Sequence, residues 1–199
     1  MYSPFISPLP LARWYIQQVV EPGDCVLDCT AGNGHDTVFL ADLVGPAGTV
    51  YAFDIQQAAI AETERKLKKM GYENRVQCIL DSHIHLQKYV TCPIKAAMFN
   101  LGYLPGGDHG ITTQASDSVT ALAQAIHSLV PGGMVTVVGY PGHSQGKKED
   151  QEMTDYVHSL TRQNYAVLIG NFLKAVDDPP KLIAIQKGTF EANKSGVQK

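Results

Sequence analysis

The run from Asp24 to Ala41, DCVLDCTAGNGHDTVFLA, constrains the fold of this chain more than any other stretch. Cys25, Val26 and Leu27 form a short apolar segment bounded by Pro22 and Gly23, the pattern of a buried parallel strand that ends at Asp28. The turn Thr30-Ala31-Gly32-Asn33-Gly34 puts glycine where backbone must bend sharply or approach a ligand with no Cβ in the way. Asp36 and Thr37 are then expected to cap a helix whose apolar positions are Val38, Phe39 and Leu40. N–H groups at such a helix start attract electron-rich ligand groups. The reading is strand, turn, helix, with a ligand at the turn.

A dinucleotide site wants G-x-G-x-x-G directly after the strand, the third glycine allowing close helix packing. Here the run is Gly32-x-Gly34-x-x-Thr37, and three residues separate Asp28 from Gly32. That spacing resembles the first motif of Rossmann-like S-adenosylmethionine methyltransferases, D/E-x-G-x-G-x-G, with Thr30 at the first glycine position. The resemblance implies S-adenosyl-L-methionine as cofactor, with Asp28, Thr30, Gly32, Asn33, Gly34, Asp36 and Thr37 around it.

At 199 residues and 44% hydrophobic, the chain suits one domain, residues 1–199, with its core over about 23–188 and residues 1–22 as a covering segment and helix. A net charge of -3 gives no global footprint for nucleic acid, so any RNA contact must be local. Cys25, Cys29, Cys78 and Cys92 lack C-x-x-C spacing and read as reduced, buried thiols. Neither a signal sequence nor an apolar run of spanning length is apparent, so the expected location is the cytoplasm, with no membrane partner.

Along the chain, the proline-rich segment to Pro10 predicts a helix only after it, with Leu11, Trp14, Tyr15 and Val19 on one face. Thr49 to Phe53 is a second strand ending at Asp54. An acidic residue there suits a ribose diol, and Gln56 can assist. Residues 57–70 are helical, with the basic cluster read as a solvated face. A third strand over 75–80 leads into Asp81-Ser82-His83, where Asp81 is either an acceptor for an adenine amino group or a helix N-cap. His83 and His85 alternate as in an extended segment, and without a third ligand no metal site is expected.

The fourth strand, 94–99, runs into Asn100-Leu101-Gly102-Tyr103-Leu104-Pro105-Gly106-Gly107-Asp108-His109, which should face the same cleft as the glycine turn. Asn100 offers an amide oxygen to an amine and Tyr103 an aromatic face to a base. Gly106-Gly107 can bring Asp108 and His109 into the site. A helix through Leu129 is ended by Pro131-Gly132-Gly133, and a fifth strand over 134–138 precedes Gly139-Tyr140-Pro141-Gly142-His143. A helix over 145–162 follows, with Met153, Val157 and Leu160 inward and Lys147, Lys148, Glu149 and Asp150 exposed. Lys147 and Lys148 suit phosphate. Strands at 165–172 and 181–186 finish the pattern.

These alternations predict an α/β fold: a Rossmann-like, seven-stranded, mostly parallel sheet flanked by helices on both faces and closed by a C-terminal strand hairpin. From Cys25 to about Lys187 the chain resembles the small bacterial rRNA methylase family, also known as the YtqB or MnmM family. The likeness rests on residues 30–37, Asp54-Ile55-Gln56, residues 100–108 and Tyr140-Pro141-Gly142-His143. It implies a tRNA methyltransferase acting on the amine of 5-aminomethyl(-2-thio)uridine at the anticodon wobble position, with the tRNA anticodon stem-loop as partner. In that reading Asn100, Tyr103, Asp108 and His109 serve catalysis, and Tyr140 and His143 shape the opposite wall. A homodimer is compatible with it. The rival functions are an rRNA or small-molecule methyltransferase and a non-enzymatic adenosine-ligand sensor.

Overall fold

A computed structural model describes residues 7–101, 115–141, 144–160, 164–172 and 179–189. Seven strands, β1 (Cys25–Asp28), β2 (Thr49–Asp54), β3 (Val76–Leu80), β4 (Ile94–Leu101), β5 (Leu129–Gly139), β6 (Tyr165–Asn171) and β7 (Lys181–Lys187), form one sheet in the order β3-β2-β1-β4-β5-β7-β6. β1 through β5 pair in parallel, while β7 lies antiparallel to both β5 and β6. The expected seven-stranded sheet and its terminal hairpin are both present. The sheet is open, with β3 and β6 at its edges.

Successive residues of a strand point to opposite faces, so a strand covered on both sides must be apolar throughout. Val26 and Leu27 are both fully buried, in different halves of the core. In β4, Ala96 and Met98 face one half and Ala97, Phe99 and Leu101 the other. The helices α1 (Pro8–Gln17), α2 (His35–Val44) and α3 (Gln57–Met70) cover the first face, through Ile16, Leu40 and Leu67 among others. The helices α4 (Ala115–Ser128) and α5 (Ser144–Ser159), with a 3-10 turn over His83–Lys88, cover the second through Leu122, Met153 and Leu86.

Several local expectations are corrected. Helix α1 starts at Pro8 rather than after Pro10, because first-turn positions have no intrahelical N–H partner to lose. Its inward residues are Pro8, Leu11, Ala12 and Ile16, and Trp14 is 44% exposed. β5 begins at Leu129, which pairs with Ile94. The register then shifts, so that Ala96 meets Met134, and Pro131-Gly132-Gly133 forms an irregularity in the strand rather than a separate turn. Glu149, expected at the surface, is buried. Cys25 and Cys92, expected as thiols, form a disulfide, because the adjacency of β1 and β4 brings their Cα atoms to 6.6 Å. Cys29 and Cys78 are free. Among the described residues no helix is long and apolar enough to cross a membrane.

Candidate active site

The strand order reverses direction between β1 and β4, and ligands of open parallel sheets bind beyond the carboxyl ends of the strands at such a point. The register brings those ends together: Asp28 lies beside Ala52 and Met98, Asp54 beside Leu80, and Asn100 beside Val138. The glycine turn, Asp54, residues 81–83, Asn100 and Tyr140 therefore rim one edge of the sheet.

Gly32 and Gly34 have φ of 50° and 75°, the left-handed region where a side chain is strained. At Gly34 the close neighbour is α3. A Cβ there would lie 2.9 Å from Thr63 Oγ1 and 3.0 Å from Thr63 Cα. Buried Thr63 donates its hydroxyl to the Gly32 carbonyl at 3.2 Å, and Lys66 Nζ donates to the Asn33 carbonyl at 2.5 Å. Helix α3 thus braces the turn with two side chains, and Lys66 is drawn out of the basic face expected to be solvated. The signal for Thr63 was its place as the polar member of the buried stripe Ala59, Ile60, Thr63 and Leu67.

Beneath the turn lies Asp28, fully buried. Its Oδ1 accepts from the Thr30 N–H at 3.1 Å and its Oδ2 from the Thr37 hydroxyl at 2.6 Å. Burial, reinforced by the nearby Asp36 carboxylate, pushes its pKa up to about 7. Thr37 therefore points inward instead of capping α2, whose N-cap position is Gly34 with no side-chain cap. Asp36 does not cap either: it is buried and accepts from Arg13 Nε at 2.7 Å, which ties α1 to the start of α2. Thr30, standing where the motif has glycine, accepts the Asn100 N–H on its hydroxyl at 2.8 Å, joining the turn to the end of β4.

Asp54 accepts the Gly32 N–H at 2.8 Å on one oxygen and the Gln56 N–H at 2.9 Å on the other. Each carboxylate oxygen keeps further acceptor capacity, which is what a vicinal diol needs. The Gln56 side chain makes no cap bond. Ile55 and Leu80, at the ends of β2 and β3, expose large apolar side chains that the sequence reading did not single out. Asp81 accepts from the Ser82 N–H, His85 Nδ1 and the Tyr89 hydroxyl, at 2.7, 2.8 and 2.8 Å. These bonds, His85's first, bring its pKa down to about 2. The cap of the following 3-10 turn is Ser82, not Asp81.

His83 and His85 part company, since residues 83–88 are helical rather than extended. His83 is buried, with Nδ1 2.8 Å from the Cys29 carbonyl oxygen and its ring edge-on to Phe99. Burial holds its pKa below the usual imidazole range, so the ring is neutral, Nδ1–H donates to Cys29, and Nε2 is a bare acceptor. That Nε2 is buried with no hydrogen-bond partner among the described residues. Asn100 is half-buried and Tyr140 partly exposed. Burial, and secondarily Asp36, raise the Tyr140 phenol's pKa. Lys147 is exposed on α5, while Tyr103, Asp108, His109, His143 and the Lys148 side chain lie outside the described residues.

The family model described as "Putative rRNA methylase" matches residues 50–186, and that of protein-L-isoaspartate O-methyltransferase matches residues 7–92. A tRNA (mnm(5)s(2)U34)-methyltransferase of Arabidopsis thaliana chloroplasts is 38% identical over 143 residues, 67% of this chain. The chain spans only 52% of that relative's own length. A solved "putative rRNA-methylase" from Clostridium thermocellum is 42% identical, with a TM-score of 0.89, covering 91% of this chain and 97% of its own. A "putative methyltransferase" from Streptococcus mutans, solved in complex with SAH, is 36% identical, with a TM-score of 0.83, covering 94% and 99%. With the family match, these identities and the site geometry together, the chain belongs to the rRNA methylase family of S-adenosylmethionine-dependent methyltransferases.

Proposed function

We propose that this protein transfers the methyl group of S-adenosylmethionine to the amine of 5-aminomethyl(-2-thio)uridine at the wobble position of tRNA. The observation that carries the substrate is the 38% identity to the chloroplast tRNA (mnm(5)s(2)U34)-methyltransferase. The residues present fit the cofactor. Asp54 has acceptor capacity for the ribose hydroxyls, Ile55 and Leu80 offer apolar surface to the adenine, and the bare Nε2 of His83 is a buried acceptor in want of a donor. Asp28, Thr30, Asp36 and Thr37 act one layer below, holding the turn in shape.

When bound, the cofactor supplies a methyl group already activated on a sulfonium. The chain's task is then chiefly orientation, which can lower a barrier by about 7 to 11 kcal/mol. Asn100 accepts an N–H of the amine and so aims its lone pair. Asp108 or His109 takes the proton, and Tyr103 stacks on the base. A wobble base is already unpaired, so little unstacking opposes its entry. Lys147 and Lys148 of α5 supply local positive charge for the anticodon stem-loop in a chain of net charge -3. A homodimer would cover Val167 and Leu168, exposed on the edge strand β6.

The test is transfer of labelled methyl to bulk tRNA from cells lacking this protein, followed by nucleoside mass analysis. The expected result is one added methyl on 5-aminomethyl uridine. Incorporation into rRNA alone, or none with cofactor binding intact, overturns the substrate.

A further inference from the structure

Asp81 and His83 both follow the carboxyl end of β3, and either can accept a hydrogen bond from a base. Their environments differ. Asp81 already accepts from the Ser82 N–H, His85 and the Tyr89 hydroxyl, which fills three of the about four acceptor positions of a carboxylate. Its side chain also stays 25% exposed, so water can satisfy whatever a ligand leaves free. His83 is only 4% exposed, and its Nε2 has no hydrogen-bond partner among the described residues. The Cys29 carbonyl takes the Nδ1 proton, so Nε2 presents a lone pair. Asp117 of α4 and Asp54 favour a charged ring, but burial outweighs both and keeps it neutral. The acceptor therefore does not become a donor. The ring also lies at the switch point of the sheet, between Cys29, just after β1, and Phe99, the residue before Asn100 on β4. A buried acceptor left unpaired forfeits its hydration, whereas an exposed one does not. His83, more than Asp81, can tell a donor from an acceptor.

We propose that His83 Nε2 accepts an N–H of the adenine 6-amino group of the cofactor, and that His83 is the residue by which the chain reads that base. The 6-amino group is the base's N–H donor. Asp54, the carboxylate suited to the ribose, is one of the two that act on His83, which puts the imidazole on the nucleoside side of the site. A 6-oxo base would set its carbonyl oxygen against the Nε2 lone pair, two acceptors with no proton between them. The inference rests on the cofactor alone and is independent of the wobble-uridine substrate.

The experiment is calorimetry of the full chain with S-adenosylhomocysteine and with S-inosylhomocysteine, in which an oxo group replaces the 6-amino group. The wild type is expected to bind the adenosyl compound at least about tenfold more tightly. His83→Phe keeps a ring against Phe99 and removes the acceptor, so its preference should fall to within about threefold, through weaker binding of the adenosyl compound. His83→Gln returns an acceptor and should recover part of the preference. Nitrogen NMR of the wild type gives a reading that needs no variant: the His83 Nε2 resonance should shift as it accepts a bond from S-adenosylhomocysteine, and stay in place with the inosyl compound. Equal binding of the two ligands by the wild type, an unmoved Nε2 resonance, or equal weakening of both ligands in His83→Phe overturns the proposal. Collapse of the preference in Asp81→Asn but not in His83→Phe assigns the reading to Asp81 and overturns it too. Methyl transfer to tRNA is scored separately. Discrimination without transfer removes the wobble-uridine reading and keeps the role of His83, and transfer without discrimination does the reverse.

Discussion

Asp28 shows what one buried carboxyl does to a turn. Folded, it holds its proton up to about pH 7, whereas an unfolded aspartate releases it near 3.8. The native state therefore binds more protons across that window, and stability must fall as pH rises through it. The contribution is complete below 3.8 and lost above 7. Asp28→Asn removes the titration, so urea denaturation of the variant should show a flatter pH dependence between 4 and 7 than the wild type. Equal slopes would mean that Asp28 ionises normally. Gly34 gives a second test. Alanine there meets both the left-handed φ, at about 1–2 kcal/mol, and the Thr63 backbone at 3.0 Å. Gly34→Ala should lose more than about 1 kcal/mol of stability, and S-adenosylhomocysteine affinity with it. Retained affinity, read by calorimetry, would show that the turn tolerates displacement. The glycine itself was legible in the sequence, but its reason was not. The spacing suggested clearance for a ligand, and the crowding neighbour is Thr63, twenty-nine positions away, which only the packing of α3 reveals.

At the scale of elements, the carboxylates of β1 and β2 hold the glycine turn from below, and three further elements brace it: α3 through Thr63 and Lys66, β4 through the Thr30 bond to Asn100, and α1 through Arg13 and Asp36. The strands were legible because a doubly covered sheet needs apolar runs, and 25–27, 50–53 and 96–99 supply them. The braces were not, because each joins residues that share no period. Asp36 read as a helix cap, and nothing in the spacing singled out Arg13. Arg13→Met leaves Asp36 buried without its cation beside Asp28, and partial exposure of the Arg13 side chain tempers the cost to about 1–3 kcal/mol. If the ion pair is the coupling, Arg13→Met/Asp36→Asn should recover much of that loss in a double-mutant cycle. Additive losses would assign the effect to Arg13's packing on the Phe39 ring, 5.4 Å away.

Across the described molecule, the ligand-facing residues and the disulfide sit at opposite ends of the strands. The ligand-facing residues follow the carboxyl ends of the strands, while Cys25 opens β1 and Cys92 precedes β4, so their disulfide lies at the amino edge. No spacing rule could have paired them across 67 residues, since the pairing follows from β1 lying next to β4 after the chain has passed through β2 and β3. A loop of that length gives about 4 kcal/mol of chain-entropy stabilisation in the simple model. The remaining thiols make poor exchange partners: Cys29 is buried with its pKa raised by burial and then by Asp28, and that of Cys78 is pushed up to about 11. The bridge should therefore persist as a single pairing, seen as one Cys25–Cys92 peptide in a non-reducing digest. Cys92→Ser should lower the denaturation midpoint by an amount corresponding to about 2–4 kcal/mol and leave S-adenosylhomocysteine affinity within about twofold. A fall in affinity in step with stability would mean that the amino edge sets the glycine turn through β1, and that the two ends of the sheet are one cooperative unit.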